Sequence, residues 1–326
     1  MPELTVASEA WLLAETFRIS RGAKTETVVV VVSLRDGEAV GRGECVPYPR
    51  YGESIASVVT DIEKLRGDIE RGMDRDALQA ALPAGAARNA LDCALWDLEA
   101  KQAGARVWEL AGIAAPQPVV TAKTISLDEP AQMATAAARD AHLPLLKLKV
   151  SGEGDLERVR AVRQGAPDAR LIVDANEGWR AELLDSFLPT LKQLGVEMVE
   201  QPLPVADDDA LAGYDAPIML CADEACHTRA DLARLEGRYG MVNIKLDKTG
   251  GLTEALALAS EARDRGFALM VGCMISTSLA MAPAMLLGGM ADIVDLDGPL
   301  LLAQDRTPGL VYDGALANGP VASLWG

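Results

Sequence analysis

Three observations predict an α/β protein, a (β/α)8-type modified TIM barrel behind an N-terminal α+β capping domain, and point to where its chemistry lies. From about residue 118 onward, short apolar strands alternate with helix-like segments at nearly even spacing. The first hundred or so residues lack that rhythm. In five successive strands of the rhythmic part, one charged residue follows the apolar run toward the strand's C-terminal end.

The capping domain is expected over residues 1–117. LTVASEAWLL and TETVVVVVSLRDGEAVGRGECV read as strands with a turn at Asp36–Gly37, because Asp-Gly accepts the backbone of a tight hairpin. Residues 54–69 and 75–82 turn to a helical pattern. AARNALDCALWDLEAKQAG follows as a helix stopped by glycine, with Ala90, Leu91, Ala94, Leu95 and Leu98 at helical spacing.

The barrel is expected over 118–303. Its strands are VVTAKTI, LLKLKV, LIVDA, VEMVEQPLP, PIMLCADE, MVNIKLDK, FALMVGCM and DIVDLDGP, with helices such as DEPAQMATAAARDAH and TEALALASEARDRG between them. Eight such units favour a closed barrel over a doubly wound open sheet. The last crossover is short, and the tail, about 304–326 and including GLVYDG, is expected to pack back on the first domain.

Composition narrows the function. Forty-eight acidic against 31 basic residues give a net charge of −17, which argues against nucleic acid and anionic membrane as partners. Five cysteines without zinc spacing and a start lacking a basic, then apolar, leader fit a reduced, cytoplasmic protein. The long apolar run ALMVGCMISTSLAMAPAMLLGGM is broken by Pro283 and polar residues, so it reads as strand plus helix, not as a membrane span. Only His142 and His227 are present, so histidine-centred chemistry is nearly excluded.

The five charges are Lys149, Asp174, Glu200, Asp223 and Lys245, spaced 22 to 26 residues apart, about one βα unit each. In a barrel such strand ends converge on the catalytic face. Three converging carboxylates need a counter-ion, and an all-oxygen set suits Mg²⁺ better than zinc. A metal flanked by two lysines predicts proton transfer at carbon, with the substrate carboxylate on the metal and an enediolate formed as the α-proton leaves. The stretch LPLLKLKV places Lys147 on the same strand face as Lys149. A lysine with a pKa of about 10.4 is a poor base at neutral pH; Lys147 is expected to lower that of Lys149 by like-charge repulsion.

LKLKV, IVDANEGW, VEQPLP, CADEACH, VNIKLDKTGG and DLDGP together resemble the enolase superfamily in its muconate-lactonizing-like branch. Within that branch the chain is most similar to the bacterial L-Ala-D/L-Glu dipeptide epimerases of murein peptide recycling. RGECVPYPRYGES and PAGAARNALDCALWDLEAK extend the resemblance to the first domain. It implies that Lys149 and Lys245 are the opposed acid and base and that Asp174, Glu200 and Asp223 bind Mg²⁺. Lys147 would contact the substrate carboxylate, with Asn176 and Glu224 beside the metal shell and Thr124 and Lys248 in support. Cap loops around Arg18–Lys24 and Pro49–Ser54 would close over the barrel mouth.

For specificity, Asp295 and Asp297 lie on one face of the last strand and, by the same resemblance, hold the ammonium of the dipeptide. The side-chain carboxylate of its second residue needs a cation, and Arg21 is preferred over Lys24 and Arg50 because a guanidinium matches a carboxylate bidentately. Ser276 stands where some relatives carry an acid, which leaves the range of dipeptides open. The expected partner is thus a small dipeptide, with homo-oligomers left open. The alternatives are an o-succinylbenzoate synthase or muconate cycloisomerase and, from another class, a non-catalytic metal-dependent peptide binder. Retention of both lysines argues against the binder, which needs no proton relay.

Overall fold

The computed structural model describes residues Met1–Gly326. The N-terminal part is a three-stranded antiparallel sheet of β1 (Glu3–Ile19), β2 (Gly22–Asp36) and β3 (Ala39–Cys45), in that order. Helices α1 (Ile55–Lys64), α2 (Arg66–Glu70), α3 (Arg75–Ala81) and α4 (Ala86–Ala103) follow. Ser54 caps α1 through the Ser57 N–H, and Asp74 caps α3 through the Ala77 N–H. Helix α4 is buried over nearly its whole circumference, because one face lies on the sheet and the other meets the barrel. Gly41 and Gly43, two apart and so on one face of β3, make the first contact possible. A Cβ at Gly41 would overlap the Ala94 carbonyl, and one at Gly43 the Ala90 carbonyl.

The second part is an eight-stranded parallel sheet: β5 (Lys123–Ile125), β6 (Leu145–Lys149), β7 (Arg170–Asp174), β8 (Val196–Glu200), β9 (Met219–Ala222), β10 (Met241–Ile244), β11 (Ala268–Gly272) and β12 (Ile293–Asp295). The ends of the sheet meet through one parallel bridge, Thr121 to Val294, with the Ala122 N–H donating to the Val294 carbonyl at 2.8 Å. The first expected barrel strand is therefore divided. Its start, β4 (Val119–Val120), leaves the barrel and pairs with the tail hairpin of β13 (Tyr312–Asp313) and β14 (Leu316–Ala317). The tail ends on the first domain, where the Trp325 indole donates to the Cys93 carbonyl at 3.0 Å and the Gly326 N–H to Asp97 at 2.7 Å.

Strand alternation organises the barrel interior. Ala122, Leu145, Ile172, Met198, Cys221, Met241, Met270 and Ile293, one from each strand or its immediate start, form a closed apolar ring. Two residues further along each strand, on the same inward face, come Thr124, Lys147, Asp174, Glu200, Asp223, Asn243, Gly272 and Asp295. A second step reaches Lys149, Lys245 and Asp297. The outward faces carry Leu146, Leu148, Val173, Val199, Val242 and Val271, all in the main apolar core. An oily floor thus supports a polar layer, the stacked arrangement that a packed barrel requires. All five cysteines are free, and no helix is long and apolar enough to cross a membrane.

Gly43→Ala is expected to destabilise the fold by about 3 kcal/mol, the upper end for overpacking, read as a lower urea midpoint. An unchanged midpoint would show that α4 does not depend on this close approach.

Candidate active site

The polar layer is a network of buried lysines and carboxylates. Lys147, 1% exposed, places Nζ 2.6 Å from Glu200 Oε2, 2.7 Å from Asp295 Oδ2 and 3.2 Å from Asp174 Oδ2. Lys149 donates to the same Asp174 oxygen at 2.5 Å. Across the barrel, Lys245 donates to Asp223 Oδ2 at 2.7 Å. Lys248, on the short turn of helix after Lys245, donates to Asp223 Oδ1 at 2.7 Å, the Asp223 carbonyl at 2.5 Å and the Asn243 carbonyl at 2.9 Å. Register explains the order: Lys149 pairs with Asp174, and Asp174 with Glu200, as direct neighbours on adjacent strands. Asp223 and Lys245 stand one residue past the ends of β9 and β10, where the chain is still extended enough to aim them inward.

The two lysines of KLK sit in a strand buried along its whole length, and Asp174 stands between their ammonium groups. Burial opposes the charge of Lys147, yet Asp295, Glu200 and Asp174 hold its pKa well above the ordinary lysine value. Lys245 is raised against burial in the same way by Asp223 and Glu200. Burial would raise Asp174, but Lys149 and Lys147 hold it well below the carboxylate range; Lys245 and Lys248 do the same for Asp223. Glu200 goes the other way, pushed up to about 7 by burial and the Asp174 charge.

A cavity of about 830 Å³ lies between the cap and this layer. Of the four lysines in the network, Lys149 and Lys245 line it, whereas Lys147 and Lys248 do not. β6 and β10 are four strands apart in a ring of eight, so the two lining lysines face one another across the mouth. Lys24 and Tyr51, from the cap, complete the wall.

The three cap cations differ in engagement. Arg21 donates to Glu224 Oε1 at 2.8 Å, to the Asn176 carbonyl at 2.7 Å and to the Tyr48 hydroxyl at 3.1 Å. Arg50 forms a bidentate pair with Glu177, at 2.7 Å for both bonds. Lys24 has no carboxylate within ion-pair distance, and burial together with Lys149 lowers its pKa. At the acid pair, Asp297 accepts the Thr124 N–H at 2.7 Å and is pushed up to about 6 by burial and Asp295. Asp295 and Asp297 flank Cys273, which is on the cavity wall, but they do not line the cavity themselves. Ser276 is fully buried and bonds the Met274 carbonyl at 3.0 Å.

The donor chemistry at Asp174, Glu200 and Asp223 fits a hard divalent cation. All three are oxygen donors, all are buried, and the neighbouring Asn176 Oδ1 makes no hydrogen bond. In this structure the three are spread over lysine ammoniums and are not gathered round one point. Asn176 donates its N–H to Asp174 Oδ1 at 2.9 Å, and Glu224, pushed up to about 7 by burial and Asp223, leaves Oε2 unbonded.

Two positioning residues are absent from the residues expected above. Asn243 donates to Glu200 Oε1 at 2.6 Å from within the polar layer, and Gly272 leaves room for it, since a Cβ there would meet its amide at 2.6 Å. Its signal was an asparagine inside a strand, two before Lys245. Gln201 accepts the N–H groups of Asp223 and Ala225, each at 3.0 Å, and so ties the end of β8 to the end of β9. Nothing in its local sequence marks it.

The comparisons agree with this geometry. Residues 1–112 match the mandelate racemase/muconate lactonizing enzyme N-terminal domain, and residues 130–301 match the enolase C-terminal domain-like family. The chain is 52% identical to the L-Ala-D/L-Glu epimerase of Escherichia coli K12, covering 96% of this chain and 98% of that one. It is 47% identical to an N-acetyl-D-glutamate racemase of a Pseudoalteromonas species, over 91% and 95% of the two chains. An enolase family member from Agrobacterium tumefaciens, solved with sodium and L-Ala-L-Glu, superposes with a TM-score of 0.98 at 51% identity over the full length of both chains. By its two domains and its lysine–carboxylate layer, this chain belongs to the mandelate racemase/muconate lactonizing enzyme branch of the enolase superfamily.

Proposed function

We propose that the protein is a Mg²⁺-dependent dipeptide epimerase that inverts the C-terminal residue of L-Ala-D/L-Glu-type dipeptides, within cytoplasmic murein peptide recycling. The observation that carries this reading is the pair of lysines facing each other across one cavity. Lys149 and Lys245 each reach it from opposite sides of the barrel, so one takes the α-proton from one face and the other delivers a proton to the opposite face. Asp174, Glu200 and Asp223 would hold the cation. When bound, it supplies positive charge to the substrate carboxylate and offsets the carboxylate field that otherwise keeps Lys245 protonated.

The cap and the last strand supply specificity. Lys24 is the cavity-lining cation without a carboxylate of its own, so it is the best partner for the glutamate side chain; Arg21 and Arg50 are already engaged by Glu224 and Glu177. Asp297, with the unbonded Oδ1 of Asp295, would take the ammonium of the first residue beside the Cys273 thiol. One observation favours a second reading, racemisation of an N-acylglutamate. The chain is 47% identical to an N-acetyl-D-glutamate racemase, and Asp297, pushed up to about 6 by burial and Asp295, would when neutral donate a hydrogen bond to an acyl oxygen.

With Mg²⁺ in D₂O, L-Ala-L-Glu is expected to give L-Ala-D-Glu carrying deuterium at the C-terminal α-carbon, by NMR and chiral chromatography. Chelation should abolish turnover, Mg²⁺ should restore it, and Asp223→Asn should cost roughly a thousandfold. Full turnover after verified metal removal would sink the metal-dependent mechanism.

Asp297→Asn distinguishes the two substrate readings. Loss of a buried charged partner costs about 2 kcal/mol or more, roughly thirtyfold in kcat/KM, and this loss is expected for L-Ala-L-Glu but not for N-acetylglutamate. Equal losses on both would make Asp297 a structural residue, and faster wild-type turnover of N-acetylglutamate would favour the N-acyl substrate.

A further inference from the structure

The loop after β7 carries two consecutive non-glycine residues with left-handed backbones, Asn176 at φ 46° and Glu177 at φ 65°. Such conformations persist only where the surroundings hold them. The Glu177 N–H donates to the Gln201 carbonyl at 2.9 Å, which fixes the loop from the barrel side. Its carboxylate side chain is only 8% exposed although it stands on a loop.

That carboxylate gathers groups from three directions. Arg50, in the turn Pro49–Tyr51, grips both oxygens at 2.7 Å. Arg21, in the β1–β2 hairpin turn, lies 3.5 Å away, and the Val205 N–H donates from the barrel at 3.1 Å. The adjoining Asn176 carbonyl accepts Arg21 at 2.7 Å and the Ser20 hydroxyl at 3.0 Å. One barrel loop therefore binds both cap excursions that overhang the mouth. Both excursions carry cavity-lining residues: Lys24 follows the hairpin, and Tyr51 follows Arg50, with its ring edge-on to His227 at 4.5 Å between centroids. Glu177 itself does not line the cavity. Its effect on a ligand is thus exerted through the groups it holds.

We infer that Glu177 is a positioning residue, the latch that holds the hairpin turn and the Pro49–Tyr51 turn over the barrel mouth and so sets Lys24 and Tyr51 against the ligand. The placement of the ligand's side chain at Lys24 rests on the dipeptide reading; the latch does not. A bidentate arginine–carboxylate pair is both strong and directional, so it fixes orientation as well as proximity. Lysine in place of Arg50 keeps the charge and loses the fork.

Two measurements test this on the full chain. Trypsin cleavage after Arg21, Lys24 and Arg50 in the native protein needs no substrate. In Glu177→Gln, which keeps an acceptor for the Val205 N–H but removes the charge, cleavage there is expected to speed up at least tenfold under conditions in which a urea melt shows the variant still folded. In turnover of L-Ala-L-Glu, Glu177→Gln and Arg50→Lys should each raise KM about tenfold while kcat stays within threefold, and the double variant should be no worse than either single one. Unchanged trypsin rates, a fall in kcat at constant KM, or additive losses would each overturn the latch. Arg50 is at the surface, so Arg50→Lys reads the same contact should Glu177→Gln fail to fold. A wild-type protein inactive on every dipeptide would refute the functional reading, while the trypsin comparison would still decide on the latch.

Discussion

Everything at the mouth of this barrel depends on mutual neutralisation of buried lysines and carboxylates. Lys147, Lys149, Lys245 and Lys248 face Asp174, Glu200, Asp223 and Asp295 in a space that water scarcely enters. A buried charge costs several kcal/mol unless it is paired, and removing one member of a pair typically costs about 3–5 kcal/mol. Lys147 alone joins carboxylates from β7, β8 and β12, two neighbouring strands on one side of β6 and a third beyond β5 on the other. The layer is therefore a structural keystone and a chemical device at once. Only Lys149 and Lys245 escape full enclosure, and these two border the cavity. Lys248, held by three acceptors, has no freedom left to exchange a proton with a ligand.

The same network explains why the barrel could be read so directly from the sequence. A lysine or aspartate at the end of an apolar strand is costly unless partners are built around it, so five of them at one βα spacing carry information. The two-residue step from the apolar ring to the polar layer is dictated by strand geometry. What escaped was whatever depends on contacts between distant segments. Arg21 and Arg50 invite assignment to a substrate anion, and only the fold shows Glu224 and Glu177 standing against them. Gln201 and Asn243 are neutral and work by hydrogen bonds across strands, a role without a local signature. The division of the strand over 119–125 likewise depends on the tail hairpin, nearly two hundred residues away, which captures Val119 and Val120.

The cap and the barrel divide the work. The barrel supplies reactive groups on rigid strand ends, whereas the cap supplies loops tied by arginine pairs to the barrel loops that carry Glu177 and Glu224. The chain is similar both to a dipeptide epimerase and to an N-acetyl-D-glutamate racemase, at 52% and 47% identity. In this chain the free cation is Lys24 and the acid pair is Asp295 with Asp297. On the proposed reading, the choice between the two kinds of substrate turns on Lys24 and Asp297.

The central claim is that Lys149 and Lys245 serve opposite faces of one α-carbon. It is tested most directly by solvent-deuterium exchange into each epimer of L-Ala-D/L-Glu, followed by NMR, in Lys149→Ala and Lys245→Ala. Each variant is expected to lose epimerisation by orders of magnitude and to retain α-proton exchange with one epimer only. The epimer that exchanges in one variant should be the one that is silent in the other. Deuterium entering both epimers in either single variant would contradict the two-lysine account.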